Sequence, residues 1–589
     1  MVPLFLPPCL RKPQKGTVPL HVLSGCLNDD YWRIRGTAES IQPPEVLCRI
    51  LHFAVGSDGV KALLPFTHVC TRWRNAALGD SSLWTTISLE QMTAPLLDMT
   101  LAYSGNRLFT VVVDDPDLER LPMLWKLVDR IEELRYVEHL RQIVPFFSSL
   151  GPAPNLRVLS LLPVVSVGRG DTSFLVRSLP VIFAGCLPSL RDLTLTHTVT
   201  WPTGLFKGLT SFDCSTPDLS LDHVLDVLRG SPSIEVLVLD GSCDIPPGFN
   251  PPTFVFRSLR ECSLIGEGTT SLIRFMTVPA SARVFLDKPY ADGGFFSQSF
   301  EDLSAAPGLH ILKEISTVSF TISDWAVRVR ATNGSGGVLG VGVEFDELLE
   351  SATLAPFLLS FFRCGGTCPG FKTTKELELD IDHRMIWSIE QATCSALDVL
   401  GFVSNLPDVE GVKLRGIPLP ELTSITGCLC GVPNVEMPCP NLKRLRIEST
   451  LLRSPRPLLL ELDKLLAERK KAGRPFQSLT VKMECEMLIP AADHCAFLAS
   501  WEGLVEGDVW LEYERPKVEK LPRYYHEKED EEGGRKEAGA GDPDPLCVGW
   551  DGWPGQWPKT MGEMRGVEGG EHKLTERACL GRSNMHSDS

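Results

Sequence analysis

The segment Asp380-Ile381-Asp382-His383 places two carboxylates and one imidazole close together, as a metal site would. The residues before it alternate between charged and apolar types, which predicts a strand over residues 376–380. On a strand Asp380 and Asp382 share one face, whereas His383 points to the other. Because the three side chains do not converge, we predict no metal there. We interpret the segment as the solvated edge of the repeating unit that is described below.

The 18 cysteines are further residues that could bind a metal. The closest spacings are Cys364/Cys368 and Cys428/Cys430, without a Cys-x-x-Cys pair or a nearby histidine in a finger-like arrangement. We therefore predict that the cysteines are core or surface thiols and not zinc ligands.

No motif of a catalytic or nucleotide site stands out in the sequence. The glycine-rich stretch at residues 334–342 lacks the Gly-Lys-Ser/Thr ending of a phosphate-binding loop, so we interpret it as a turn or bulge between strands. Neither a Gly-x-Ser-x-Gly elbow nor a His-Glu-x-x-His helix is present. We expect a protein without catalytic residues, cofactor or metal.

Charge and hydropathy exclude further classes of function. The 589 residues carry a formal net charge of -16, which would repel phosphate backbones and anionic lipid headgroups. No stretch reaches the roughly 18 to 20 uninterrupted apolar residues of a membrane helix, and prolines interrupt the apolar start of the chain, unlike a secretory signal. We expect no nucleic acid or membrane partner and a cytoplasmic or nuclear location.

The first regular elements are predicted after a leader rich in proline and glycine. Pro44 suits the first turn of a helix, where its missing N–H costs nothing, and Glu45 lies near the positive end of the helix dipole. Apolar residues of this first helix recur at helical spacing: Val46, Leu47, Ile50, Leu51 and Phe53. A second short helix is predicted at residues 60–64, after a glycine turn.

A third helix is predicted to begin at Pro65, and Leu83-Trp84 close the segment. Three short helices within about 42 residues cannot bury all their apolar faces among themselves. We expect the surplus to meet either the following domain or a partner protein. The apolar face of the third helix consists of Phe66, Val69, Cys70, Trp73 and Ala77.

After Trp84 a repeating unit predicts stacked strands. The predicted strand centres Ile87 and Val111 are 24 residues apart, the length of one leucine-rich repeat. Stacked side by side, such units would bury their apolar triplets beneath a curved, largely parallel sheet. Most triplets follow a proline and a small polar residue: Leu156-x-x-Leu159-x-Leu161, Leu190-x-x-Leu193-x-Leu195, Ile234-x-x-Leu237-x-Leu239, Val409-x-x-Val412-x-Leu414 and Leu442-x-x-Leu445-x-Ile447, with weaker copies at Leu259-x-x-Cys262-x-Leu264 and Leu209-x-x-Phe212.

The repeat is irregular. The asparagine that usually follows the triplet in regular repeats is missing, and the motif fades between Leu264 and Val409. In that interval alternation still predicts strands at residues 318–322 and 326–330, with a hairpin-like turn at Asn333-Gly334. We expect the array to be continuous but distorted there.

The stretch at residues 41–84 resembles the F-box. Its Pro-Pro-Glu-x-Leu opening at residues 43–47, its Val-Cys-x-Arg-Trp centre at residues 69–73 and its closing Leu-Trp agree with that family in order and spacing. With the repeats behind it, the chain resembles the F-box and leucine-rich repeat proteins expanded in mushroom-forming fungi.

This resemblance implies a substrate receptor of a Skp–cullin–F-box ubiquitin ligase. The F-box would bind the Skp-type adaptor protein and through it a cullin, while the repeats would bind a protein substrate that the sequence does not identify. The adaptor contacts implied by position are Pro43, Pro44, Glu45, Val46, Leu47, Ile50, Leu51, Leu63, Leu64, Val69, Cys70, Trp73 and Trp84.

We therefore expect an α/β chain in four parts: an extended leader at residues 1–39, a three-helix F-box at 40–84, an irregular leucine-rich repeat solenoid at 85–515, and a disordered charged tail at 516–589. A protein of another class fits the same pattern. It is a repeat-based interaction scaffold in which the F-box-like helices only cap the solenoid. Binding of the adaptor separates the two hypotheses.

Overall fold

The computed structural model describes residues 44–56, 59–114, 120–137, 146–162, 176–289, 301–303, 305–323, 326–344, 371, 373–381, 406–417, 419–429, 439–452, 454–485 and 490–514. All of them belong to the first of two compact units, Met1–Lys517 and Val518–Ser589. The predicted leader and the predicted tail lie outside the described residues. Within the described ranges, no helix is both long and apolar enough to cross a membrane.

Three helices begin the described chain: α1 at Pro44–Val55, α2 at Val60–Thr67 and α3 at Thr71–Gly79. The prediction that a helix starts at Pro65 is wrong, because Pro65 lies inside α2 and the third helix starts only after Cys70. In so short a helix, Pro65 removes a single backbone hydrogen bond, which the fold tolerates.

The rest of the described chain is a mixed α/β fold around a large, mostly parallel sheet. A 3₁₀ turn at Ser81–Trp84 leads into it, and the further helices are α4 (Ala94–Tyr103), α5 (Leu221–Gly230), α6 (Leu419–Leu429), α7 (Arg456–Lys471) and α8 (Ala491–Glu502). The strands are β1 (Thr86–Ser88), β2 (Phe109–Val113), β3 (Ile131–Tyr136), β4 (Val158–Leu161), β5 (Val176–Ser178), β6 (Asp192–Thr196), β7 (Thr198–Thr200), β8 (Ser211–Asp218), β9 (Val236–Ser242), β10 (Phe254–Val255), β11 (Glu261–Ile265), β12 (Met276–Thr277), β13 (Arg283–Pro289), β14 (Ile315–Ile322), β15 (Ala326–Asn333), β16 (Val338–Glu344), β17 (Glu376–Ile381), β18 (Gly411–Arg415), β19 (Arg444–Leu452), β20 (Ser478–Cys485) and β21 (Asp508–Glu514).

Pairing joins seventeen of the described strands into one sheet. Their order is β1-β2-β3-β4-β6-β8-β9-β11-β13-β16-β15-β14-β17-β18-β19-β20-β21. Neighbours are parallel except at β15, which runs antiparallel to β14 and β16. The interval in which the motif fades is therefore a three-stranded meander, in which β16 and not β14 pairs with β13.

The apolar triplets align across this sheet. Leu159 pairs with Leu193, and Leu193 pairs with Phe212. Phe212 pairs with Leu237, which in turn pairs with Cys262. All five side chains are at most 1% exposed. Equivalent positions of successive strands thus stack on one another and form the core, as the spacing of the triplets predicts.

The small polar residue that precedes each triplet also joins neighbouring turns. The Ser189 hydroxyl donates to the backbone carbonyl of Pro154 at 2.6 Å, and the Asn441 side-chain amide donates to that of Pro407 at 3.0 Å. In both pairs the acceptor is the proline that opens the preceding triplet in sequence. These bonds connect adjacent turns at the positions that precede the triplets.

Alternate residues of the strands point away from the core and line the opposite surface of the sheet, here called the open face. One row of it runs through Thr194, Asp213, Val238, Ser263 and Phe285 on consecutive strands of the sheet. Among these residues Ser263 is buried, whereas the other four are half-buried.

Leu193→Ala tests the stacked core. It should lower the free energy of unfolding by about 2–5 kcal/mol, because it leaves a cavity between Leu159 and Phe212. Thr194→Ala, one residue further on the open face, is the matched control and should change it by about 0.5 kcal/mol or less. Urea unfolding followed by circular dichroism measures both. Equal losses in the two variants would contradict this assignment of core and open face.

Candidate functional site

Helix α1 has two apolar stripes. Leu47, Leu51 and Val55 are buried and face the other two helices. Val46, Ile50 and Phe53 are spaced i, i+4 and i+7, so they share a second stripe on another side of the helix. Their exposed fractions are 39%, 39% and 93%. Helix α1 therefore buries one stripe in the core that it shares with the sheet and leaves the other in solvent.

The turn between α2 and α3 adds to the exposed apolar surface. The rings of Phe66 and Trp73 stack across it with centroids 5.7 Å apart, and both are half-buried. Val69, at the start of the turn, is 60% exposed, and Cys70 beside it is also exposed. The stack holds the turn in place while Val69 projects from it.

Trp84 fastens the three helices to the sheet. It is fully buried, and its indole N–H donates to the carbonyl of Ala77 in α3 at 2.7 Å. Its ring lies 5.0 Å from that of Tyr103 in α4. Gly59 adds a second contact: its φ is +70°, and a Cβ there would lie 2.8 Å from the carbonyl oxygen of Thr86 in β1. The helices thus pack against the first strand of the sheet.

A polar group connects α1 to the turn before Trp84. His52 Nε2 lies 3.2 Å from Asp80 Oδ2 and 2.9 Å from Ser82 Oγ. The backbone N–H of Ser82 donates to Asp80 Oδ1 at 3.0 Å, and its hydroxyl donates to the same oxygen. Burial alone would raise the pKa of Asp80, but hydrogen bonds from Ser82 and His52 outweigh it and hold that pKa below its usual range.

The structure divides the predicted adaptor contacts into three groups, and Pro43 lies outside the described residues. The exposed group is Pro44, Glu45, Val46, Ile50, Val69 and Cys70; the half-buried group is Leu64 and Trp73; the buried group is Leu47, Leu51, Leu63 and Trp84. The buried group holds the three helices together and to the sheet. Phe53, the most exposed large apolar residue described, is absent from the predicted contacts although its spacing from Val46 indicates the same stripe.

The other candidate sites of the sequence do not form a centre within the described ranges. Asp380 lies on β17, where its Oδ2 accepts from Arg415 at 3.4 Å, while Asp382 and His383 lie outside the described residues. Residues 334–337 form the predicted turn from β15 into β16, and residues 338–342 are part of β16 itself. No group of metal-binding side chains is found in the part of the chain that the structure describes.

The described cysteines that lie in the core form no disulfide with one another. Cys262 occupies a triplet position, and burial raises the pKa of its thiol to about 12. Burial likewise raises the pKa of Cys243 to about 11. Such thiols stay protonated at neutral pH and pack as apolar residues of the core.

Residues 43–90 match the family model described as F-box-like. The match includes all three helices, and it extends beyond Trp84 through β1, where Ile87 is buried, to residue 90. It supports an F-box protein. Searches of curated proteins and of solved structures gave no significant match.

Trp84→Ala and Phe53→Ala test the division between buried and exposed residues. Trp84→Ala should lower the free energy of unfolding by about 3–5 kcal/mol, because it removes the buried ring that joins the helices to the sheet. Phe53→Ala should change it by about 0.5 kcal/mol or less. Thermal melts measure both, and a large loss in the Phe53 variant would contradict the exposure assigned to that side chain.

Asp80→Asn tests the polar group. Because the folded-state pKa of Asp80 is lowered, its stabilising effect is fully present above the unfolded pKa, about 3.9, and is lost as the pH falls below that value. The variant should therefore be less stable than the wild type at about pH 6, and the difference should shrink toward about pH 3. Urea unfolding at both pH values measures the difference in the free energy of unfolding between the variant and the wild type. A difference that is the same at both pH values would contradict the stabilising role of the Asp80 carboxylate.

Proposed function

We propose that the chain is the substrate receptor of a Skp–cullin–F-box ubiquitin ligase. It binds the adaptor through its F-box-like helices and carries no catalytic site of its own. The adaptor joins it to a cullin, and the sheet region binds a protein target. These partners belong to the cytoplasm and nucleus, which is the location we propose.

The observation that supports the adaptor role best is the surplus apolar surface on α1. Leu47, Leu51 and Val55 already close the internal core, so the stripe of Val46, Ile50 and Phe53 is not needed to fold the unit. Exposed apolar residues that cluster on one element mark interaction surfaces. Among the described residues, four of the eleven exposed large hydrophobic side chains lie within α1 and the turn before α3.

We infer that the exposed group forms the adaptor contact and the buried group supports it. Phe53 and Ile50 act as apolar anchors on α1. Val69, Cys70 and Trp73 add to the contact at the turn between α2 and α3. An interface of standard size buries roughly 1,600 Å2 in total, about half on each partner. Pro43, Pro44 and Glu45 extend the contact at the start of α1.

We also infer that the sheet is an irregular leucine-rich repeat body, of the kind that the resemblance to fungal F-box proteins indicates. The in-register triplets and the bonds between neighbouring turns support this inference. Each unit lays one short strand beside the last and buries its triplet against the next, the packing of a solenoid.

A second candidate function is a repeat-based scaffold in which the helices serve only as a cap. The contacts of Trp84 with Tyr103 and of Gly59 with Thr86 favour it, because they place the helices against β1. A cap needs a polar outer surface to stay soluble. The exposed stripe of Val46, Ile50 and Phe53 has the opposite character, so we prefer the adaptor role.

The triple variant Val46→Glu, Ile50→Glu, Phe53→Ser tests the adaptor role. It should weaken binding to a purified Skp-type adaptor at least 100-fold, because three apolar contacts are lost and two carboxylates are placed at the interface. Val255→Glu is the matched control, since Val255 is similarly exposed at 49% but lies on β10. Its affinity should equal that of the wild type. Calorimetric titration measures binding, and circular dichroism confirms that both variants fold.

Two results would contradict the adaptor role. One is a folded wild type that does not bind the adaptor, which would favour the scaffold. The other is a triple variant that binds as tightly as Val255→Glu, which would place the interface elsewhere on the chain.

A further inference from the structure

The two ends of the large sheet differ. At one end the N-terminal helices pack against β1, where Gly59, just before α2, lies close to the backbone of Thr86. At the other end β21 pairs with β20 and with no other strand of the described chain. An edge strand presents a row of backbone N–H and C=O groups along its outer side, to which a further strand can pair.

The core beneath β21 is less well covered than the core beneath its neighbour. On β20 the core side chains Leu479 and Val481 are both 0% exposed. On β21 Leu511 is 9% exposed, while Val509 and Tyr513 are only half-buried. A further strand beside β21 would cover these side chains, as β21 covers those of β20.

The side of β21 that belongs to the open face is acidic and aromatic. Asp508 is exposed and forms no ion pair within the described ranges, and Trp510 is 58% exposed. Glu512 lies 3.6 Å from Lys482 Nζ and accepts from Trp510 Nε1 at 3.3 Å. Asp508 is therefore the carboxylate that a partner can pair with, and the exposed indole offers a ring on which an arginine or lysine side chain can stack.

Another acidic strand of the same sheet shows what such a strand pairs with. On β17 Glu378 and Asp380 lie on the open face, and the register places Lys413 and Arg415 of β18 opposite them. Glu378 forms an ion pair with Lys413, and Asp380 forms one with Arg415 at 3.4 Å. Leu414, between the two basic residues, is buried in the core. A basic–apolar–basic strand is thus the neighbour of an acidic strand in this sheet.

This chain itself supplies no suitable neighbour for β21. A second copy of β21 would bring further carboxylates next to Asp508 and Glu512, which like charges disfavour. Residues 515–589 contain no triplet of the type Lys413-Leu414-Arg415. Their one pair of basic residues at alternate positions is Arg515 and Lys517, which follows β21 too closely to turn back along Asp508. We therefore look for the neighbour in another protein.

We propose that the outer edge of β21 binds an extended segment of the target protein, which joins the sheet as a further strand. The segment carries basic residues at two alternate positions, beside Asp508 and Trp510. Its apolar residues lie between them and beside Val509 and Leu511. This inference rests on the proposed receptor function, and it adds the part of the sheet that binds the target and the chemical class of the target.

Backbone and side chains have different parts in this binding mode. Backbone hydrogen bonds along the seven residues of β21 provide affinity for a segment of about the same length, whatever its sequence. The side chains provide the specificity. A basic residue beside Trp510 lies against the indole and diagonally from both Asp508 and Glu512, within reach of a long side chain. The apolar residues on the other face of the segment extend the core.

A phage library of random 12-residue peptides provides the test. It is first depleted on the double variant Asp508→Lys, Trp510→Thr, which removes peptides that bind elsewhere, and then panned on the immobilised full chain. The enriched peptides should carry Lys or Arg at two alternate positions with apolar residues between. In calorimetric titration, synthetic copies should bind the double variant at least tenfold more weakly than the wild type, because the new lysine repels them and the ring is lost.

Asp222→Lys, Trp125→Thr is the matched control, because it makes the same two changes at exposed residues elsewhere. Asp222 lies on α5, and Trp125, which is 50% exposed, lies in the 3₁₀ turn Leu121–Lys126. This variant should bind the peptides as tightly as the wild type. Circular dichroism checks that both variants fold. In hydrogen exchange, a bound peptide should slow amides of β21 and leave those of β1 unchanged.

Several results would overturn the inference. Among them are enriched peptides without this alternation, and equal affinity for the wild type and the double variant. Slow exchange at every amide of β21 in the chain alone would show that residues 515–589 already cover the edge. A dimer in sedimentation that the double variant abolishes would show that a second copy occupies it.

Titration of the same preparations with the adaptor separates this inference from the proposed function. Adaptor binding without the expected peptides would refute this inference alone. The expected peptides without adaptor binding would refute the ligase function and leave the edge of β21 as the binding surface of a scaffold.

Discussion

The structure depends on one constraint: each short strand must place its apolar residues in register with those of its neighbours. No strand of four or five residues is stable alone, so Leu159, Leu193 and Phe212 are buried only because parallel pairing stacks them. A shift of one residue would turn the triplets to the open face and the charged rows to the core. Register thus fixes both the core and the surface that a partner meets.

The N-terminal helices extend this core and do not form a separate one. Trp84 lies between α3 and α4, so the last residue of the F-box resemblance is also a buried side chain of the core beneath the sheet. This shared residue explains how the helices can be rigidly attached while α1 keeps Ile50 and Phe53 in solvent. In the proposed receptor role, this rigid attachment would hold the target at a fixed distance from the adaptor.

Elements with a clear period were predictable from the sequence. The triplets around Leu193 and Leu237, and the pairing of Ile87 with Val111, follow from spacing alone. The boundary between the second and third helices was wrongly placed just before Pro65, because sequence rules treat a proline as a helix start and do not register how little a very short helix loses through it. The separation of Leu47 from Ile50 was also out of reach, since both are apolar and only the packing of three helices decides which one is buried. The pairing of β13 with β16, instead of with β14, leaves no local signal in the sequence, because it joins strands that are far apart along the chain.

Hydrogen exchange of the full chain, with and without a saturating Skp-type adaptor, tests the central claim most directly. We expect slower exchange in α1 and around the turn at Val69, with no change in strands β9, β11, β13 and β16 in the middle of the sheet. Unchanged exchange throughout residues 44–73, in the presence of an adaptor shown to be active with another F-box protein, would contradict it.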